Sequence, residues 1–192
     1  INKMSEFLKF TNNYLERLQH ALTLIPLIEL ETLAKEINSV WQQGSQLHIF
    51  GNGGSAGNAV HLANDYLYGI ASKETPGLKV HALSANPSII TCLANDEGYE
   101  KIFVEQLKVY ANPNDIALAF SGSGNSQNIL EALHWCNDNE VKTFGVLGYS
   151  GGKAKNLCQT AIHTPIDDMQ ISEDLQLIIG HVIMQWLCTK KN

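Results

Sequence analysis

The chain of 192 residues is 44% hydrophobic and 17% charged, with a formal net charge of -6. That length and composition fit one domain with a core of its own and exclude a disordered chain or a coiled coil. The acidic balance argues against broad nucleic-acid binding, which needs a basic surface to displace counterions, so an anionic ligand has to be held by local dipoles.

The opening segment INKMSEFLKF is too polar for a signal peptide. Phe7, Phe10, Tyr14, Leu15 and Leu18 recur at helical spacing, and after Pro26 so do Ile28, Leu30, Leu33, Ile37, Val40 and Trp41, until Gly44. From residue 47 the rhythm becomes strand, turn, helix: a strand at 47–51 and a helix at 55–69, a strand at 78–83 and a helix at 88–96. A further helix at 99–110 precedes a strand at 115–121 and a helix at 126–138. Strands at 141–148 and 160–166 and a closing amphipathic helix at 173–187 complete the series. Such alternation predicts βαβ units and a parallel sheet covered on both faces. The expectation is one domain over residues 1–192, with helices for packing and oligomerisation at 1–44 and an α/β core at 45–192. No run approaches the roughly 18 apolar residues of a membrane span. The four cysteines (Cys92, Cys136, Cys158, Cys188) include no CxxC pair and read as reduced core thiols, which points to the cytoplasm.

The first strand runs straight into Gly51-Asn52-Gly53-Gly54-Ser55 and a helix. Glycines let the backbone approach an anion, and the helix N-terminus offers unpaired amides at the positive end of its dipole. Ser55 can cap that helix or donate its hydroxyl to a ligand. The third strand repeats the device with Ser121-Gly122-Ser123-Gly124-Asn125-Ser126, whose hydroxyls and amides form a neutral nest for a phosphate. A flexible Ser/Gly loop is the plain alternative, but this one joins an apolar strand to a helix. It lies at the carboxyl end of the strand, where open α/β sheets bind ligands. Neither turn matches GxGxxG or carries a P-loop lysine, so a phosphate monoester fits better than a nucleoside triphosphate.

GNGGS and SGSGNS, each after a strand, together resemble the sugar isomerase (SIS) domain, and GNGGSAGNAVHLANDY is similar to its phosphoheptose isomerase branch. The similarity runs from about Trp41 to about Leu187, and the two preceding helices fit that branch as an N-terminal extension. The resemblance implies a three-layer, doubly wound, flavodoxin-like sheet of five parallel strands. It implies phosphosugar binding through Asn52, Gly53, Ser55, Ser121, Ser123 and Ser126, with Asp96 near the sugar hydroxyls. The implied reaction is interconversion of sedoheptulose 7-phosphate and D-glycero-D-manno-heptose 7-phosphate through an enediol. A homotetramer with sites between subunits is also implied.

His61 and Asp65 stand four residues apart on one helix face, and Glu173 and His181 stand eight apart on another. A lone histidine on an apolar helix is ordinarily a packed core residue. Two histidines and two carboxylates on two helices could instead hold a tetrahedral metal or transfer protons. The resemblance makes Asp65 and His181 the acid/base pair and His61, Asp65, Glu173 and His181 the ligands of one zinc per subunit. Asp65 stands where the family carries a glutamate, Glu173 where it carries a glutamine, and Gln176 where a second histidine is often found. The shortened Asp65 keeps open a second reading, a non-catalytic SIS scaffold like the replication-initiator-binding relatives, which would need no zinc. A different phosphosugar is a further alternative. His20, His48, His81, His134 and His163 have no partner at ligand spacing and read as structural or surface residues, and Asp167-Asp168 as N-terminal charge for the last helix.

Overall fold

The computed structural model describes residues 4–190; residues 1–3 of the polar opening segment and residues 191–192 lie outside them. Two helices, α1 (Glu6–Thr23) and α2 (Leu27–Gln43), precede a repeating pattern of strand and helix. The strands are β1 (Gln46–Gly51), β2 (Lys79–Ala82), β3 (Ile116–Ser121), β4 (Lys142–Leu147) and β5 (Thr160–His163). The helices are α3 (Gly53–Asn64), α4 (Pro87–Asp96), α5 (Val104–Tyr110), α6 (Gln127–Asp138), α7 (Ala154–Leu157) and α8 (Met169–Cys188). All strand pairs are parallel, in the order β2-β1-β3-β4-β5. This is the doubly wound α/β sheet that the alternation predicts, and the chain reverses its winding between β1 and β3. Ligand crevices of open sheets form at that switch point.

Side-chain alternation along the strands feeds two cores. Leu47 and Ile49 of β1 and Ile116, Leu118 and Phe120 of β3 pack with Leu33 and Ile37 of α2, Leu62 of α3, and Ile179 and Ile183 of α8. The opposite face sends Phe50, Ala117 and Ala119 against Leu107 of α5 and Ile129 and Leu133 of α6. Each such side chain, removed from water, contributes about 1.5–3 kcal/mol. α1 is held outside this frame. Its Tyr14 hydroxyl donates to Asp174, and its Arg17 pairs with Asp168. That bond to the Asp174 carboxylate pushes the Tyr14 phenol up to about 12. Asp168 also caps α8 by accepting from the amide of Ile171, which with Arg17 outweighs desolvation and holds its carboxyl below the usual range.

Several elements differ from the sequence expectation: α7 has no counterpart in it, and β5 ends at His163 rather than at 166. The helix at 99–110 is a 3₁₀ turn, Tyr99–Lys101, followed by α5. Ile102, Phe103 and Val104 are buried in succession, which one continuous α-helical face does not allow. α8 begins four residues early, at its Asp168 cap. The helix after β1 closes in a π-helical turn, Asp65–Gly69, with the Ile70 amide reaching the Asp65 carbonyl at 3.2 Å. All four thiols are free, but Cys92 is exposed on α4, which buries none of its residues, so it is not a core thiol.

Candidate active site

Both glycine-rich turns lie at the carboxyl ends of neighbouring central strands, β1 and β3. Together they line a cavity of about 260 Å³ formed by Asn52, Gly53, Gly54, Ser55, Ser121, Gly122, Ser123 and Ser126, with Phe120, Met169 and Glu173. Gly53 sits at φ +55° and Gly124 at φ +67°, where an L side chain is strained. A side chain on Gly53 would meet nothing within 4 Å, whereas one on Gly124 would run into the carbonyl of Gly151. The turn after β3 is further fixed by the Gly124 amide on Ser121 Oγ at 3.0 Å and the Asn125 amide on Ser123 Oγ at 3.3 Å. Ser126 is the N-cap of α6, yet its hydroxyl caps nothing, which leaves it free for a ligand. A larger apolar groove of about 440 Å³, lined by Ile89, Leu93, Val109 and Tyr110, lies away from these donors. Phosphate recognition needs donors, so the smaller polar cavity is the candidate site.

Asn52 is locked in place. Its Nδ2 donates to Asn128 Oδ1 at 2.9 Å, and Asn128 Nδ2 returns a bond to Asn52 Oδ1 at 2.8 Å. The Tyr99 hydroxyl donates to the same Oδ1 at 3.0 Å. An amide nitrogen carries two protons, so one N–H of Asn52 stays available beside the cavity. Sequence spacing gives no sign of Asn128 or Tyr99 as supports, because they stand 76 and 47 residues away from Asn52.

A second constellation lies further along α3 and α8. His61 Nε2 and His181 Nε2 are 2.9 Å apart, and Asp65 Oδ2 is 3.5 Å from each. The side chains of His61 and His181 are 49% and 43% exposed and that of Asp65 19%, so the group opens outward. The buried Tyr66 sets the register between the two helices. Its hydroxyl donates to the Gly180 carbonyl at 2.9 Å, tying the neighbour of Asp65 to the neighbour of His181. Burial pushes that phenol far above its ordinary range, so it stays a donor.

The donor set fits a zinc ion. Bonds of about 2.0–2.1 Å in a tetrahedron place ligand atoms roughly 3.3 Å apart. The three donor atoms lie 2.9 to 3.5 Å apart. Two imidazoles and one carboxylate make a borderline-soft set suited to zinc.

Glu173 and Asp96 are not brought to this cluster. Glu173 packs its carboxylate against Gly54, at the first turn of α3 and on the rim of the candidate cavity. It shares a side of α8 with His181 but stands eight residues, about 12 Å, along the axis. Asp96, exposed at the end of α4, takes bonds from Asn95 Nδ2 and Cys92 Sγ, which hold its carboxyl below the usual range. It lines neither the candidate cavity nor the adjoining polar pocket of Asn52, Tyr99, Glu100, Ser126, Gln127 and Asn128. Of the remaining histidines, His48 is fully buried against Asp115, Nε2 to Oδ2 at 3.2 Å, and stacks on His81 at 5.3 Å between ring centroids. This pair sits in the strands, apart from both constellations.

The SIS domain family model matches residues 6–148. The phosphoheptose isomerase of Aneurinibacillus thermoaerophilus is 35% identical over 80% of this chain and 77% of its own. Phosphoheptose isomerase 2 of Campylobacter jejuni is 35% identical over 83% of this chain and 78% of its own. Among solved structures, a phosphoheptose isomerase from Francisella tularensis is similar with a TM-score of 0.85 and 25% identity, covering 98% of this chain and all of the other (100%). The family model ends before α8, whereas the likeness to the Francisella tularensis structure extends over most of the chain.

Proposed function

The chain belongs to the SIS-domain family, in its phosphoheptose isomerase branch, and from that premise we propose that it interconverts sedoheptulose 7-phosphate and D-glycero-D-manno-heptose 7-phosphate. The observation that carries the reading is the pairing of a polar phosphate cavity with a His61–Asp65–His181 cluster on the two helices that border it. Phosphate is held by the hydroxyls of Ser55, Ser121, Ser123 and Ser126, the free N–H of Asn52, and the opening amides of α3 and α6. In the ketose-to-aldose direction, a base takes a proton from C1 and the C2 carbonyl oxygen becomes a hydroxyl. The resulting enediol then receives a proton at C2 while O1 loses its own. Asp65 and His181 are the pair suited to these transfers, since their donor atoms converge on one point. With His61 the same donor atoms would hold the metal; zinc bound there would act as a Lewis acid toward the sugar oxygens, and the proton transfers would then fall to the carboxylate oxygen of Asp65 that does not bind it. A scaffold protein has no use for this convergence.

We read the two parts as working between different chains. From Ser55 to Asp65 is ten residues of helix, about 15 Å. A heptose 7-phosphate extends only roughly 9 Å from phosphorus to C1 at ordinary bond lengths. A phosphate in one chain's cavity would then bring its reacting carbons to the acid/base pair of another copy, within a homotetramer, a reading supported by the outward-facing position of the cluster. Glu173, at the cavity rim, would join the neighbour's three ligands across the same junction. The exposed Val60, Leu67, Tyr68 and Val182 around the cluster, and Phe7, Phe10 and Leu15 on α1, supply apolar surface for such contacts. No helix among the described residues is long and apolar enough to cross a membrane. A phosphorylated substrate and free thiols are consistent with a reaction in the cytoplasm.

The test is turnover of sedoheptulose 7-phosphate by chelator-treated protein with and without added zinc, alongside His181→Ala. Formation of an aldoheptose phosphate that is lost in the variant supports the reading. Binding without any turnover would sink it.

A further inference from the structure

Gln176 lies on α8 and is 1% exposed, one of few polar side chains so deeply enclosed. Its Nε2 lies 3.0 Å from Ser55 Oγ and its Oε1 2.9 Å from Asn58 Nδ2. Asn58 Nδ2 also reaches the backbone carbonyl of Glu173 at 3.0 Å. That carbonyl can only accept, so it fixes the nitrogen end of Asn58. The second proton of the same nitrogen then fixes Oε1 of Gln176, and the remaining end of Gln176 must donate. Ser55 Oγ is therefore an acceptor toward α8. A hydroxyl has one proton, and among the described residues Ser55 donates it to no protein atom. Ser55 lines the phosphate cavity.

We propose that Gln176 is a positioning residue for phosphate recognition: through the Glu173 carbonyl–Asn58–Gln176 chain it makes Ser55 Oγ accept from α8, so that its proton is delivered to the bound phosphate ester. The proposal rests on the phosphosugar reading of the cavity. It explains how an acidic protein aims a neutral donor at an anion, with polarity set by a backbone carbonyl rather than by a titrating group. A neutral imidazole also carries one donor and one acceptor, so histidine at this position preserves the polarity. A carboxylate accepts only, so it takes the serine proton for itself.

The experiment compares Gln176→Glu, Gln176→Met and Gln176→His with Ser55→Ala and the Ser55→Ala/Gln176→Glu double variant. Dissociation constants for sedoheptulose 7-phosphate and for inorganic phosphate are measured by calorimetry, and KM and kcat separately. Gln176→Glu is expected to weaken binding and raise KM about tenfold or more, the factor one hydrogen bond to a charged group is worth. Its kcat should stay within about threefold, Gln176→His should restore binding, and the double variant should be no weaker than Gln176→Glu alone. Unchanged binding in Gln176→Glu, or effects that multiply in the double variant, would overturn the proposal. Gln176→Met, which removes the donor without adding charge, decides the matter if the glutamate variant does not fold, through loss or retention of phosphate affinity. Because the cycle is read on binding, it stands or falls apart from turnover: phosphate bound without isomerisation defeats the isomerase reading and leaves this one to the binding constants.

Discussion

Two glycines of the phosphate cavity offer a matched pair of perturbations. Gly53 and Gly124 both hold left-handed backbone, at φ +55° and +67°. Alanine in that region costs about 1–2 kcal/mol, offset by roughly 0.4–1 kcal/mol from the stiffer unfolded chain. Gly53→Ala should therefore lose about 1 kcal/mol, since its methyl group enters open space. Gly124→Ala has the same backbone cost and also drives its methyl into the Gly151 carbonyl, with the Gly152 amide nitrogen at 3.1 Å. Both obstacles are backbone, and the segment is tied by the Ala154 amide to the Gly124 carbonyl at 2.9 Å and the Gly151 amide to the Gly148 carbonyl at 2.8 Å. Shifting it adds about 1–3 kcal/mol, the usual cost of overpacking, for a total of roughly 2–4 kcal/mol. Urea unfolding at fixed protein concentration measures both. Function should separate in the opposite sense, because Gly53 lines the cavity and its backbone approaches the bound anion: that variant should fold well and show a raised KM. Equal destabilisation by the two alanines would refute the account of the Gly124–Gly151 contact.

Metal content offers a direct reading of the second constellation: after zinc loading, His61→Ala and His181→Ala should each retain far less of the metal than wild type by elemental analysis, while Ser123→Ala retains as much. Tyr66→Phe removes the bond to the Gly180 carbonyl; it should cost about 0.5–1.5 kcal/mol in unfolding experiments and lower kcat more than it raises KM, since it disturbs the register of Asp65 against His181. Asp115 is buried, which by itself raises its pKa, but bonds from His48 and from the Asn112 and Gln46 amides outweigh burial and hold its carboxyl below the usual carboxylate range. Such a depressed group stabilises the fold above its unfolded value and ceases to as pH falls through its folded value. Wild-type stability should therefore fall below about pH 4, and Asp115→Ala should cost about 1.5–3 kcal/mol at neutral pH, by stranding the donors of His48, Gln46 and Asn112, while flattening that acid limb.

The fold was legible because its signals are local. Apolar runs such as LHIF and IALAF are buried on both faces of the sheet, and the glycine turns punctuate them. The His61–Asp65 pairing was legible for the same reason, as an i,i+4 relation on one helix. The supports were not. Asn52–Asn128, His48–Asp115 and Ser55–Gln176 join residues 76, 67 and 121 positions apart, and no periodicity encodes which side chain lies across a crevice. The break at 101–104 was missed because three successive buried residues satisfy a tertiary demand that overrides helical spacing.

Glu173 marks the limit of spacing arguments, since a separation of eight residues places two side chains on one side of a helix but says nothing of their reach. Within one chain its carboxylate meets Gly54, not the cluster of His61, Asp65 and His181. If cavity and cluster of different copies build each site, two inactive variants should repair one another. Ser121→Ala/Ser123→Ala lacks the cavity donors but keeps His181, and His181→Ala has the reverse defect. In a 1:1 co-refolded mixture, a site drawing its cavity from one chain and its cluster from a neighbour is intact about one time in four, so about a quarter of wild-type turnover should return. If each chain supplied both parts to its own site, no mixture could contain an intact one, and turnover would stay at the level of the separate variants.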